Sequence, residues 1–280
     1  MADFSYLARP YIRDIRRRIN SQRLLANGDE LRALGDHGVK CQSLLIVGED
    51  AMEIPIRLYF PRTQKPKASV LLFFHGGGFF SGLLATDDAT CIRLAMRCGL
   101  IVMIDVGIPP EFDLYVMGIS AGACLAASIV LQETMLGKPS IKGQCLAAPW
   151  LCLPEKFPFE QMLDNKDSPA QCHNSTLLSY PWVLQYARMM NTPESCLDSP
   201  LINPLQFDEE VVTQLPPTHI MVCGDDPLRD HGIVLADLRH PQGYQPNFTP
   251  IHGMHIISAG SQMLLVARRG TTTSKKAFVG

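Results

Sequence analysis

The sequence predicts an α/β protein with a mostly parallel central sheet, helices on both faces and a helical cap. Two observations carry the architecture. Short continuous apolar runs recur along the chain, as suits strands buried on both faces, and most of them alternate with segments of helical periodicity. A third marks a candidate nucleophile: a Gly-x-Ser-x-Gly pattern at residues 118–122, at the join between one such run and one such helix.

In chain order, helical periodicity covers residues 4–25, and two β-like runs follow, "CQSLLIV" at 41–47 and "EIPIRLYF" at 53–60. After the linker "PRTQKPKA" come the buried-strand candidates "SVLLFF" (69–74), "LIVMIDV" (100–106), "LYVMGI" (114–119), "IKGQCLAAP" (141–149) and "HIMVCG" (219–224). Helix candidates occupy 87–99, 121–136 and 230–240. Residues 151–215 break the alternation. They are rich in Pro, Ser and Asn, with a helical piece near "LLSYPWVLQYARMM", and read as an insertion on top of the sheet.

A chain of 280 residues with 46% hydrophobic content builds one core with a small cap, so residues 1–280 are read as a single domain. With 25 basic and 27 acidic residues the net charge is -2, which gives no broad field for nucleic acid or an anionic membrane. The cluster "RDIRRR" at 13–18 reads as a solvated helix face. No run reaches the roughly 18 apolar residues of a transmembrane segment, and the N-terminus lacks the apolar core of a secretory signal, so the expected location is cytoplasmic. The nine cysteines are odd in number, scattered and free of C-x-x-C spacing, and read as reduced core thiols.

A serine hydroxyl becomes a nucleophile only with a base, a group that orients the base, and donors for the oxyanion. A tight turn from "LYVMGI" into "AGACLAAS" projects Ser120 from a strained corner, with Gly118 and Gly122 allowing close approach, and turns the Ala121 amide toward developing negative charge. The stretch "FFHGGGFFSG" at 73–82 follows a strand, and its three glycines allow amides to face a ligand. "VCGDDPLRDHG" at 222–232 places Asp225, Asp226 and Asp230 after another strand, with all three competing for the role of acid. "FTPIHGMHII" then supplies His252 and His255, completing the order Ser, Asp, His.

These four stretches, "HGGGF", "GISAGACLA", "DPLRD" and "HGM", resemble "HGGGF", "GDSAGGNLA", "DPLRDEG" and "HGF" of the hormone-sensitive-lipase-like α/β-hydrolases, also called the α/β-hydrolase-3 or arylacetamide-deacetylase-like group. The likeness runs from about residue 50 to 257. It implies Ser120 as nucleophile, Asp226 as triad acid, and the amides of Gly76, Gly77 and Ala121 as oxyanion hole. His252 matches the base without a gap; His255 matches a fungal "G-M-P-H" with one residue lost, and stays the alternative base. The resemblance implies cleavage of short- to medium-chain carboxylic esters through an acyl-enzyme, with a small-molecule ester as the partner and no metal or organic cofactor. The cap is assigned to about residues 1–40 and 151–215, with Phe79, Phe80, Trp182, Tyr186 and Met189 as candidate lining. A second reading is an inactive homologue that binds a small hydrophobic ligand, as the similar gibberellin receptors do.

Several positions depart from the pattern. Ile119 stands where the family has Asp, "VGIPPE" replaces "YRLAPE", and His231 replaces Glu after "DPLRD". Relatives also place a crossover helix between the "APE" motif and the nucleophile strand, whereas here only Phe112 and Asp113 separate Glu111 from Leu114. If both flanking strands are about six residues long, "GIPPEFD" at 107–113 is nearly taut, and reduced stability and activity are the expectation.

Overall fold

The computed structural model describes residues 10–47, 53–63, 69–103, 112–158 and 167–239. Helix α1 (Pro10–Leu34) leads into two antiparallel strands, β1 (Lys40–Val47) and β2 (Glu53–Phe60). Then follow β3 (Ser69–Phe74), α2 (Asp88–Cys98), β4 (Ile101–Met103), β5 (Asp113–Ile119), α3 (Ala121–Met135) and β6 (Ile141–Ala147). Helices α4 (Ser168–Gln171), α5 (Tyr180–Met190) and α6 (Glu209–Gln214) lie in the long insertion, before β7 (Thr218–Met221) and α7 (Arg229–Arg239). The seven strands form one sheet in the order β1-β2-β4-β3-β5-β6-β7, parallel from β4 to β7. The predicted alternation of strand and helix is thus the observed α/β architecture.

Each strand of the centre divides its side chains between two cores. Leu72, Val116 and Leu146 face Ala123, Ala126, Ala127 and Val130 of α3, together with α6 and α7. Leu71, Phe73 and Met117 face Cys91, Ile92 and Ala95 of α2, with Leu31 and Leu34 of α1 packed behind. The α3 face is made of small residues, so the helix lies close to the strands that carry the site. A third, smaller cluster joins Trp150, Leu153, Val183, Ala187 and Leu228, and so fastens α5 to the sheet.

Helix α1 continues nine residues beyond the predicted end at 25, through Asn27 and Gly28, which are poor helix formers. Tertiary contact overrides that propensity: Asn27 is buried and hydrogen-bonded to Ala85 and Ala89, and Leu31 and Leu34 reach the core. On β2, Arg57 pairs with Asp88 at 2.7 Å and Tyr59 donates to the same carboxylate, which ties the strand to the start of α2.

The connection from β4 to β5 runs through residues 104–111, which lie outside the described residues. Strand pairing is described only as far as Met103, which lies level with Leu72 of β3, and Leu72 lies level with Val116 of β5. Re-entry at Asp113 is therefore three positions back, about 10 Å along the strands and about 10 Å across two strand spacings, or roughly 14 Å in all. The ten Cα steps from Met103 to Asp113 (113 − 103) reach roughly 35 Å when extended. The expected strand at 100–106 is described from Ile101 to Met103, and most of the connection expected to be taut, "GIPPEFD" at 107–113, lies outside the described residues.

Candidate active site

Ser120 occupies the single residue between β5 and α3, with φ 55° and ψ -119°, a region that non-glycine residues rarely adopt. Backbone bonds clamp it: its N–H donates to Ala147 O at 2.8 Å, while its carbonyl accepts from Ala123 N–H at 2.9 Å and Trp150 N–H at 3.3 Å. Serine at a helix start usually caps the helix with its hydroxyl. Here it makes no cap bond, so the helix does not use the hydroxyl. The flanking glycines are sterically required. A Cβ on Gly118 would lie 2.1 Å from the Gly122 carbonyl oxygen, and one on Gly122 would lie 2.3 Å from that of Phe74.

The glycine loop closes against this corner. A Cβ on Gly76 would stand 3.5 Å from the Ser120 Cβ, so the first glycine of the loop touches the serine's surroundings directly. Gly77 has φ +141°, and a side chain there would overlap the Ser81 carbonyl. The Gly77 carbonyl accepts from the amides of Phe80 and Ser81 and from the Ser81 hydroxyl, which curls the loop back on itself. Among the described residues, the amides of Gly77 and Ala121 meet no acceptor. Both are spare donors at the carboxyl edge of the sheet, the kind of group that binds an oxyanion.

The acid loop follows β7. Asp226 is buried; one carboxylate oxygen accepts from the Leu228 amide at 2.9 Å. Burial pushes its carboxyl pKa up to about 6, against the opposing pull of the Leu228 amide and Arg229. Asp225 is exposed. Asp230 is buried, and its carboxylate is occupied by the Ser168 amide and the Arg229 guanidinium. Of the three competing acids, Asp226 is thus buried with one oxygen bonded to the Leu228 amide, whereas both oxygens of buried Asp230 are taken. His252 and His255 lie outside the described residues.

Two departures from the family pattern, Ile119 and His231, have structural roles, and "VGIPPE" lies outside the described residues. Ile119, in place of Asp, packs into the core on the α2 side. His231, in place of Glu, is buried against Phe157 with ring centroids 4.5 Å apart, and its Nδ1 accepts from the Leu151 amide at 3.2 Å. Burial pushes its pKa down to about 3, so it stays neutral. Burial also pushes the thiols of Cys124, Cys145, Cys152 and Cys223 up to about 12, which leaves them protonated and poor rivals to Ser120 as nucleophiles.

Aromatic side chains stand above the loop. Tyr186 of α5 lies against Gly78, where a Cβ would come within 2.9 Å of its ring. It stacks with Phe80 at 6.4 Å and meets Trp182 at 6.0 Å. Phe79 turns instead to Trp150, at 5.6 Å, and Met189 is buried. Of the five candidate lining residues, Phe80, Trp182 and Tyr186 form one group.

A strained serine corner, a facing loop of spare amides and a buried carboxylate at the carboxyl edge of a parallel sheet define the α/β-hydrolase class. The family model described as "alpha/beta hydrolase fold" matches residues 104–256, just over half of the chain, and the chain belongs to that family. Its relatives include Esterase LipI of Mycobacterium tuberculosis, 29% identical over 225 residues, or 69% of this chain and 67% of that protein. Arylacetamide deacetylase-like 3 of Mus musculus is 24% identical over 288 residues, covering 72% of this chain and 69% of its own. The hyperthermophilic esterase from the archeon Pyrobaculum calidifontis shares the fold with a TM-score of 0.65 at 22% identity, covering 84% of this chain and 86% of its own. Among the described residues no helix is long and apolar enough to cross a membrane.

Proposed function

We propose that this chain is a serine hydrolase that cleaves short- to medium-chain carboxylic esters through an acyl-enzyme on Ser120. The observation that carries the reading is the Ser120 corner, held at positive φ with its hydroxyl unused by the helix and Gly76 packed against it. His252 accepts the Ser120 proton as Oγ attacks the ester carbonyl, and Asp226 orients and stabilises the imidazolium. The amides of Gly76, Gly77 and Ala121 stabilise the oxyanion of both tetrahedral intermediates. Loss of the alcohol takes the proton back from His252, and water then releases the acid by the same steps in reverse. Helix α1 and the insertion carrying α4 and α5 serve as the cap, and Phe80, Trp182 and Tyr186 as its apolar lining.

Three variants and one probe test this. Fluorophosphonate should label the parent protein at Ser120, and Ser120→Ala should abolish labelling and lower p-nitrophenyl butyrate hydrolysis by about three orders of magnitude or more without unfolding. His252→Ala should lose nearly all activity and His255→Ala little; the reverse ranking assigns the base to His255. A folded parent protein that neither labels nor hydrolyses would instead be the ligand-binding homologue.

A further inference from the structure

Helix α1 presents a polar stripe to the glycine loop and its flank. Asn20, Arg23, Asn27 and Glu30 follow one another at steps of three or four residues, so they share one face of the helix. Each has a partner across the gap. Asn20 Oδ1 accepts from the Gly82 amide at 2.7 Å. Arg23 donates through Nη1 to the Gly76 carbonyl at 2.7 Å and through Nη2 to Asp87 at 2.6 Å. Asn27 donates to Ala85 O and accepts from the Ala89 amide, both at 2.8 Å, and Glu30 pairs with Arg93.

The Gly76 carbonyl is the acceptor that matters for chemistry. Across a planar trans peptide, C=O and the next N–H point in opposite directions, so whatever holds the Gly76 oxygen also aims the Gly77 N–H. Glycines on both sides of that peptide leave its plane free to turn unless something pins it. Arg23 pins it from the α1 side, and His75 Nδ1 lies 2.8 Å from the same oxygen. The guanidinium is itself fixed, because buried Asp87 accepts from both Arg23 and the Thr86 hydroxyl. A planar fork that bonds a carbonyl and a carboxylate at once is a task for arginine rather than lysine.

We propose that Arg23 is a positioning residue of the oxyanion hole: by holding the Gly76 carbonyl it keeps the Gly76–Gly77 peptide turned so that the Gly77 N–H is available to the oxyanion formed at Ser120. This rests on the acyl-enzyme reading above. Deleting an oxyanion donor outright costs about 100- to 1,000-fold in kcat, and misaiming one of three costs less, so the loss expected here is about 10- to 100-fold.

The test compares the parent protein with Arg23→Ala, Arg23→Lys and, as a control on the same helix, Arg32→Ala, whose side chain is exposed and paired only with Asp29 nearby. The readouts are kcat and KM on p-nitrophenyl butyrate, the rate of fluorophosphonate labelling, and deuterium uptake in the segment 74–83. Arg23→Ala should lower kcat about 10- to 100-fold with KM within about threefold, slow labelling by the same factor and raise uptake in 74–83. Arg23→Lys should fall between Ala and parent, and Arg32→Ala should match the parent. A folded Arg23→Ala with kcat within about twofold of parent, or with the loss confined to KM, overturns the proposal. If the parent protein neither labels nor hydrolyses, the acyl-enzyme reading fails, while the exchange readout still decides whether Arg23 holds the loop: unchanged uptake says it does not. Should Arg23→Ala fail to fold, Arg23→Lys decides by the same readouts, and parent values in both overturn the proposal.

Discussion

At the Ser120 corner, position is set by backbone atoms in contact: Gly118 against the Gly122 carbonyl, Gly122 against that of Phe74, and four backbone bonds on Ser120 itself. At the Asp226 loop, position is set by side chains. Ser168 donates to Pro227 O, Asp230 accepts from Ser168 and Arg229, Ser175 donates to Asp225 O, and His231 accepts from Leu151. Every one of these bonds except Arg229 with Asp230 joins the loop or α7 to the insertion or its root. A corner built from backbone has no intermediate states, because an added methyl either fits or displaces a strand. A loop built from polar side chains can be tuned one group at a time, and some of those groups titrate.

The largest effect should therefore come from Gly122→Ala. The new Cβ meets main-chain oxygens of Phe74 and His75 at 2.3 and 2.5 Å, which no rotamer change relieves. Loss of about 4 kcal/mol or more, with loss of Ser120 reactivity, is the expectation. Denaturant melting checks it, and a variant within about 1 kcal/mol of the parent would remove the contrast between corner and loop.

Next come the titrating groups of the acid loop, whose effects oppose each other. His231 has a folded pKa of about 3 against 6.5 for the free side chain. Between these values the unfolded chain holds one more proton, so stability declines by about 1.4 kcal/mol per unit as pH falls. Asp226 has a folded pKa of about 6 against 3.8, so from about pH 4 to 6 the folded chain holds the extra proton and stability declines as pH rises. In the parent protein the two slopes offset over that window. His231→Gln should leave a stability that falls from pH 4 to 6, and Asp226→Asn one that rises. Urea midpoints at half-unit intervals would show this, and profiles parallel to the parent's would contradict the assigned burial effects.

A smaller gain should follow from Ser120→Gly. Glycine adopts φ 55° without the strain that serine bears, so the variant should be inactive yet more stable by about 1 kcal/mol. A thermal midpoint below the parent's would mean that the corner holds no relievable strain. The smallest effect belongs to Lys156→Ala, which removes an ion pair to Asp198 at the outer surface of the insertion. Because Asp198 is 80% exposed and the pair is screened by salt, the change should stay within about 0.5 kcal/mol.

The same contrast explains what could be read from the sequence. Backbone contact at the corner admits one residue type, so "GISAG" and "HGGG" announce it, and the β-like run at 53–60 and the apolar run at 69–74 give β2 and β3 at their predicted limits. The acid was another matter. Asp225, Asp226 and Asp230 are alike by spacing, and only the resemblance of "DPLRD" singles out Asp226; in the structure they differ in burial and in the partners of Asp230. Arg23 and its companions on α1 went unread because a polar stripe on an N-terminal helix looks like any solvated face. Arg16, Arg17 and Arg18 on the same helix are indeed exposed. The signal that could have found it was the pairing of Asn20 and Asn27, seven residues apart on one face, since buried asparagines demand partners.

The polar stripe of α1 also sets an order of events during synthesis. Its bonds to the glycine loop and to α2 close stretches of 53 to 64 residues. At about 5–20 residues per second, α1 waits roughly 3–12 s after emerging before its partners exist. Through that interval its asparagines and arginine bind water, and the helix has no sheet to lean on. Closing so long a segment is entropically slow relative to pairing β1 with β2, whose strands are near neighbours in the chain. Docking of α1 thus waits on long-range closure, and on the role proposed for Arg23 the recovery of ester hydrolysis should report that docking rather than the earlier assembly of the sheet.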